Sequence, residues 1–247
     1  MTSPLPTQDA PRTWDDHMKL LLSPKGAPSV ALWGVLTGVQ VGIVALLLTS
    51  ANTHDLARAV GAARLPPEVI VGLVVCILAL SLIRSTVLTP MATVLMQNKH
   101  VGLARALRLS WSRAGRVIGA VFATGLFTTL GGSVAVMLDV PITSFVELPC
   151  LVTVCLIPFL VASGKGFGAS FWGALRTSRA AWPQLLMLFV LLQILGSTIE
   201  LSAMEPSSLW TLPKGARLFV SLFSLEAFSM IASVSLYATV IKKHRGQ

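Results

Sequence analysis

The chain has 247 residues, 54% of them hydrophobic and only 12% charged, and its mean hydropathy is +0.77. Soluble domains carry about a quarter charged residues, so the composition excludes an ordinary soluble enzyme or binding module and points to a polytopic membrane protein. A formal net charge of +9 would suit a nucleic-acid binder, but the basic residues cluster on one side of the expected membrane, and no nucleic-acid partner is expected.

Residues 1–12 are rich in Pro and Thr and lack the basic region, apolar core and cleavage site of a signal peptide. Thr13 with Asp16 outlines a capping box, and Trp14, Met18, Leu21 and Leu22 share one helical face. Residues 13–22 therefore read either as a short helix at the bilayer surface or as a loosely ordered tail. Spanning a hydrocarbon core of about 30 Å takes about 20 apolar residues in a helix. Six runs meet or approach that length: 30–49, 68–91, 117–138, 145–162, 185–203 and 218–241. The expectation is an all-α membrane bundle of six spans over residues 29–242, flanked by tails at 1–28 and 243–247.

The first run carries Gly34, Gly38 and Gly42, a small-residue ladder suited to close helix packing within the monomer or to a homo-oligomer. The second can continue past Pro90 as a kinked helix, since proline removes one backbone hydrogen bond. Orientation follows from lysine and arginine bias. With the amino terminus cytoplasmic, the inner segments hold Arg12, Lys19 and Lys25, then Lys99, Arg105, Arg108, Arg113 and Arg116, then Lys165, Arg176 and Arg179, then Lys242, Lys243 and Arg245. Only Arg58, Arg64, Lys214 and Arg217 fall outside, so both termini are expected in the cytoplasm.

A shift of 68 residues superposes Leu88 on Leu156, Pro90 on Pro158, Ala106 on Ala174, Leu107 on Leu175, Arg108 on Arg176 and Ser110 on Ser178. This reads as a duplicated helical hairpin. In the first copy Arg105, Arg108, Ser112 and Arg116 step by three and four opposite Leu103, Leu107 and Trp111. In the second, Phe171, Leu175, Ser178 and Trp182 share a face that Arg179 flanks. Such segments suit anionic lipid headgroups or a cytoplasmic protein partner, and they also serve simply to enforce topology.

Four polar residues fall inside the spans: Gln40, Arg84, Gln193 and Glu226. Counting depth at about 1.5 Å per residue puts Glu226 near the midplane and Arg84 some 10 Å nearer the cytoplasm. The preferred expectation is a midplane cluster of Gln40, Gln193 and Glu226, followed by an Arg84–Glu226 ion pair. Alternatively, Arg84 snorkels to the headgroups and Glu226 bonds within its own helix, for example to Ser229.

No catalytic constellation emerges. His17, His54, His100 and His244 lie in separate polar segments, and no zinc-ligand spacing, nucleophile elbow or phosphate-loop lysine is present. Neither metal nor cofactor is expected. Cys76, Cys150 and Cys155 read as small membrane-buried hydrophobes. The glycine-rich stretch 164–168 reads as a flexible connector or a headgroup contact.

Pro90 with Ala106, Leu107, Arg108 and Ser110, and Pro158 with Ala174, Leu175, Arg176 and Ser178, give a pattern that resembles bacterial membrane proteins related to the membrane domain of glycerophosphoryl diester phosphodiesterases. The resemblance covers the second to fifth spans. It implies a helical bundle in a bacterial cytoplasmic membrane concerned with lipids or an envelope process, and it transfers no catalytic residue. The function expected is a non-enzymatic lipid-binding or scaffolding protein, with a transporter subunit coupled to a separate energy source as the alternative.

Overall fold

The computed structural model describes residues 13–50, 66–137, 156–180 and 213–245, with isolated positions between 182 and 194. Every regular element among the described residues is a helix. The first, α1 (Trp14–Leu22), starts at a reciprocal cap: Thr13 Oγ accepts the Asp16 N–H at 3.4 Å, and Asp16 Oδ2 accepts the Thr13 N–H at 2.9 Å. These bonds from Thr13, backbone first, hold the Asp16 carboxyl below its ordinary 3.8. Lys19 pairs with Asp15 one turn earlier, which raises the Lys19 ammonium above its usual value.

The buried face of α1 differs from the expected apolar stripe. His17 and Leu21 are fully buried, whereas Trp14 and Leu22 are exposed. The reason is tertiary: His17 Nδ1 lies 2.7 Å from Thr239 Oγ1 near the end of the chain. A tight turn at Gly26 then sends the chain into α2 (Ala27–Ser50). A Cβ on Gly26 would sit 2.3 Å from the Leu21 carbonyl oxygen, so the close approach requires glycine.

Pro67 occupies the first position of α3 (Pro67–Thr86), where a missing N–H costs nothing, and Glu68 meets the positive end of the helix dipole. The helix breaks at Val87, whose N–H turns back to the Arg84 carbonyl at 3.1 Å. Pro90 explains the break: it has no N–H for the Thr86 carbonyl, and its ring crowds that oxygen. It sits buried in the first turn of α4 (Leu88–Gln97). The expected kink therefore lies three residues before the proline. Asn98, in the left-handed conformation with φ 52°, closes α4 by donating to Val94 O at 2.9 Å.

Two more helices follow, α5 (Leu103–Ser112) and α6 (Ala114–Met137). The helical residues 156–162 form α7, and α8 spans Phe167–Ala180. The α7 terminus is a fixed cap, which replaces the flexible connector expected at 164–168. Lys165 N–H donates to Leu160 O at 3.2 Å, and Gly164 N–H to Val161 O at 3.0 Å, with Gly164 at φ 106°. This double bond pattern needs a left-handed residue, hence glycine. The last helix, α9 (Lys214–Arg245), is the longest among the described residues.

Contacts set the topology. Along α2, Gly34 and Gly38 face Phe223, Gly42 faces Phe219, and Thr49 lies beside Gly215, so α2 and α9 run antiparallel. The Gln40–Ser81 and Trp33–Arg84 contacts make α2 and α3 antiparallel as well. Helix α6 packs on α3, while α1, α4 and α8 pack on α9. The largest apolar core lies where α1, α4, α7 and the end of α9 meet, around Leu21, Met91, Phe159, Leu160, Val234 and Ile241.

Among the described residues, three helical stretches are long and apolar enough to cross a membrane: Ala27–Thr49, Glu68–Gln97 (α3 and α4 together, across the break at Val87) and Gly215–Lys242. They turn large apolar side chains outward, among them Val35, Val39, Val71, Val75 and Leu78, which suits a hydrocarbon solvent. Cys76 is exposed on this outward apolar surface, where a small hydrophobe can lie within the membrane. Cys150, Cys155 and most of the runs expected at 145–162 and 185–203 lie outside the described residues.

The glycine contacts separate two kinds of substitution. At Gly38 an added Cβ meets Phe223 at an ordinary 3.7 Å. Gly38→Ala should therefore shift stability by less than about 1 kcal/mol, while Gly38→Leu, which displaces the ring, should cost about 1–3 kcal/mol. Gly26→Ala, with no room at all, should destabilise more than Gly38→Ala. Thermal unfolding in detergent checks the ranking.

The cap on α1 predicts a pH response. A carboxyl depressed in the folded state lends stability that is present above its unfolded value of 3.8 and lost as pH falls through the folded value. The hydrogen-exchange protection factors of the Asp16 and His17 amides, taken against intrinsic rates at each pH, should fall only under acid conditions. In Thr13→Ala the first turn should already exchange fast at neutral pH.

Candidate functional site

Arg84 ends α3 and Glu226 lies within α9, and Arg84 Nη1 donates to Glu226 Oε2 at 2.9 Å. Their side chains are 21% and 43% exposed, so neither is sealed away. The Trp33 ring of α2 lies beneath the guanidinium, with Cζ 5.7 Å from its centroid, a cation–π contact that gains strength as water is excluded. Three helices thus converge on one charge pair. Arg84 lies seventeen residues from the start of α3 and Glu226 twelve from the start of α9. That offset is about 7 Å of helix, and the long arginine side chain closes it.

The preferred midplane cluster does not form at Gln40. Its Nε2 donates to Ser81 Oγ of α3 at 2.7 Å, because Gln40 projects toward α3 two turns beyond Trp33. The Gln40 Oε1 is buried and has no hydrogen-bond partner among the described residues. Gln193 lies outside the described residues. Among the described residues Glu226 pairs with Arg84, and Arg84 does not snorkel.

Beside the pair is a cavity of about 430 Å³. Ser81 and Ser85 of α3, Thr124 of α6, and Ser229, Ser233 and Tyr237 of α9 give it a hydroxyl-rich wall, and Leu88, Phe159 and Met230 an apolar one. Glu226, Ser229, Ser233 and Tyr237 step by three and four along α9 and so occupy one face. Sequence reasoning singled out Glu226 but missed this stripe; its signal was a polar periodicity within an apolar helix. Trp33 and His17 were likewise missed as buried anchors, since no local pattern marks them.

The basic segments flank the site. On α5, Ala106 and Ser110 face inward, while Leu103, Leu107, Trp111, Arg105 and Arg108 are exposed, Trp111 at 85%. On α8, Ser170, Ala174 and Ser178 are buried, and Phe171, Trp172, Leu175, Arg176 and Arg179 are exposed. The expected face that joined Ser178 and Trp182 to Phe171 is split, because the small residues seat the helix on the bundle and Trp182 packs toward the core. Arg116 is exposed. Arg113 is half-buried and donates through Nη1 to Ala162 O at 2.6 Å, placing a cation at the negative end of α7. Its guanidinium fills the space where a Gly164 Cβ would be, 3.0 Å away. The glycine ladder is occupied by Phe219 and Phe223, which stack at 5.9 Å, so it is engaged within the chain.

Fold and site define a class: among the described residues, an all-helical arrangement with three helical stretches fit to cross a membrane and a charge pair among them. Comparison with known proteins adds no family to that class, since no family model, no curated protein and no solved structure matches the chain.

Removing one partner strands the other charge in an apolar setting. Arg84→Leu and Glu226→Gln should each lower the unfolding temperature. The double variant should recover part of the loss, with a coupling of about 1–2 kcal/mol. A coupling near zero in a double-mutant cycle would show that the pair contributes nothing to folding.

Proposed function

We propose that this protein is a non-enzymatic, multi-pass component of a bacterial inner membrane that binds anionic lipid through α5 and α8. In this reading both termini are cytoplasmic, and six spans arise from a duplicated hairpin. The observation that carries it is the shared design of the two basic helices. Each seats a narrow strip of small residues on the bundle and turns outward a broad face that mixes arginine with large apolar side chains. An exposed face of that kind suits the boundary between headgroups and acyl chains, where each arginine contributes about 1 kcal/mol toward anionic lipid.

Burial supports the duplication. Pro90 and Pro158 are both buried, as are Ala106 and Ala174, and Ser110 and Ser178; Leu107 and Leu175 are both exposed, as are Arg108 and Arg176. In each copy an apolar helix holding the proline ends at a left-handed residue, Asn98 or Gly164, and a basic amphipathic helix follows. The lipid role agrees with the resemblance to phosphodiesterase-associated membrane domains. A second reading, a transporter subunit that works with a separate energy-coupling partner, is favoured by the polar cavity beside Arg84 and Glu226.

Native mass spectrometry of protein purified in mild detergent tests the lipid role. Wild type should retain phosphatidylglycerol or cardiolipin. Replacing Arg105, Arg108, Arg176 and Arg179 by Gln should weaken retention by roughly two to three orders of magnitude, from about 1 kcal/mol per residue. Equal retention by both would reject the reading, and a stoichiometric ATPase would favour the transport alternative.

A further inference from the structure

We propose that the cavity beside Arg84 and Glu226 binds a zwitterionic headgroup, one that joins an anionic phosphate to an ammonium, as in ethanolamine phospholipids. Three observations carry this. The two charges are held together by a single hydrogen bond at 2.9 Å and remain partly exposed, so each retains capacity for a further partner. The same two side chains line a cavity of about 430 Å³, a volume within the range of small-ligand sites. The remaining lining divides into hydroxyls, from Ser85, Ser229 and Ser233, and apolar groups, from Leu88, Phe159 and Met230.

Charge balance selects the ligand. The pair is neutral as a whole. In a low-dielectric setting a purely anionic ligand would gain at Arg84 but meet Glu226, and a purely cationic one would suffer the reverse. A zwitterion satisfies both ends: its phosphate takes guanidinium N–H groups and serine hydroxyls, and its ammonium takes the carboxylate. The arrangement stays neutral throughout, so no unpaired charge is left within the membrane. Trp33, stacked on the guanidinium, holds Arg84 in position for this exchange of partners. The site uses none of the arginines of α5 and α8, so the inference stands apart from the anionic-lipid reading.

The test uses the full chain in mild detergent with Arg105, Arg108, Arg176 and Arg179 replaced by Gln, so that α5 and α8 no longer hold anionic lipid. It is offered phosphatidylethanolamine and phosphatidylglycerol in equal amounts, and bound lipid is counted by native mass spectrometry. One phosphatidylethanolamine should be retained in preference to phosphatidylglycerol by about tenfold, and Glu226→Gln should abolish the preference because the ammonium loses its partner. Ser233→Leu fills the cavity without touching the ion pair. It should lower phosphatidylethanolamine occupancy while gel-filtration and unfolding profiles stay unchanged, which keeps the test valid if Glu226→Gln fails to fold. Glycerophosphoethanolamine, which has no acyl chains, separates the sources: displacement of the lipid by it marks a site for the free headgroup, and no displacement marks one for the intact lipid. Equal retention of the two lipids by this four-arginine variant, or undiminished retention of phosphatidylethanolamine when Ser233→Leu is added to it, would overturn the proposal.

Discussion

A charge in an apolar medium must be neutralised by another part of the same molecule, and the bundle is arranged around one such neutralisation. Arg84 of α3 and Glu226 of α9 meet over Trp33 of α2. That meeting sets the relative heights of three helices at once. With the heights set, Phe219 and Phe223 come to lie on the glycine face of α2, Gln40 reaches Ser81, and the far end of α9 brings Thr239 to His17. A shift of either helix by one turn, about 5.4 Å, would separate the charges and unseat all of these contacts together. The pair thus acts on register, which unspecific apolar packing against lipid does not determine.

The second constraint is how apolar helices end. Backbone carbonyls left over at a helix terminus need partners, and two ends that precede basic segments find them in different ways. At α4 a left-handed asparagine closes the helix. At α7 a left-handed glycine leaves room for the Arg113 guanidinium, which reaches across from the start of α6 to cap the Ala162 carbonyl. Arg113 belongs to the basic run that topology alone would explain, yet it works as a structural tie between the start of α6 and the end of α7. The exposed arginines around it, Arg105, Arg108 and Arg116, are not so employed. The main apolar core lies at this same end of the molecule, so the basic helices stand on its most firmly packed part, while the apolar lengths of the spans face outward.

Much of this was legible from residues alone. Composition announced the class, because 54% hydrophobic and 12% charged residues leave no means of building a soluble surface. The α1 cap at Thr13 and Asp16 was readable, since it depends on residues three apart, as were the amphipathic α5 and the break near Pro90. The inward face of α1 was not: His17 is buried through a bond to Thr239, and no local pattern encodes a contact across more than two hundred residues. Nor was the partner of Glu226. Depth counted from helix ends favoured amides, because the count took each helix as starting at its flanking charge and allowed the long arginine side chain to close only part of the offset.

The division has a physical basis. Helical periodicity, caps, proline breaks and the side on which cations accumulate all arise from interactions within a few residues or with the membrane as a whole, so the sequence by itself determined the helical class, the membrane setting and where several helices start and stop. Which polar groups meet, which face of α8 is buried, and that Ser229, Ser233 and Tyr237 share a cavity with an ion pair depend on the relative rotation and height of separate helices. Those quantities follow from side-chain fit between elements far apart in the chain, and only the tertiary structure decided them.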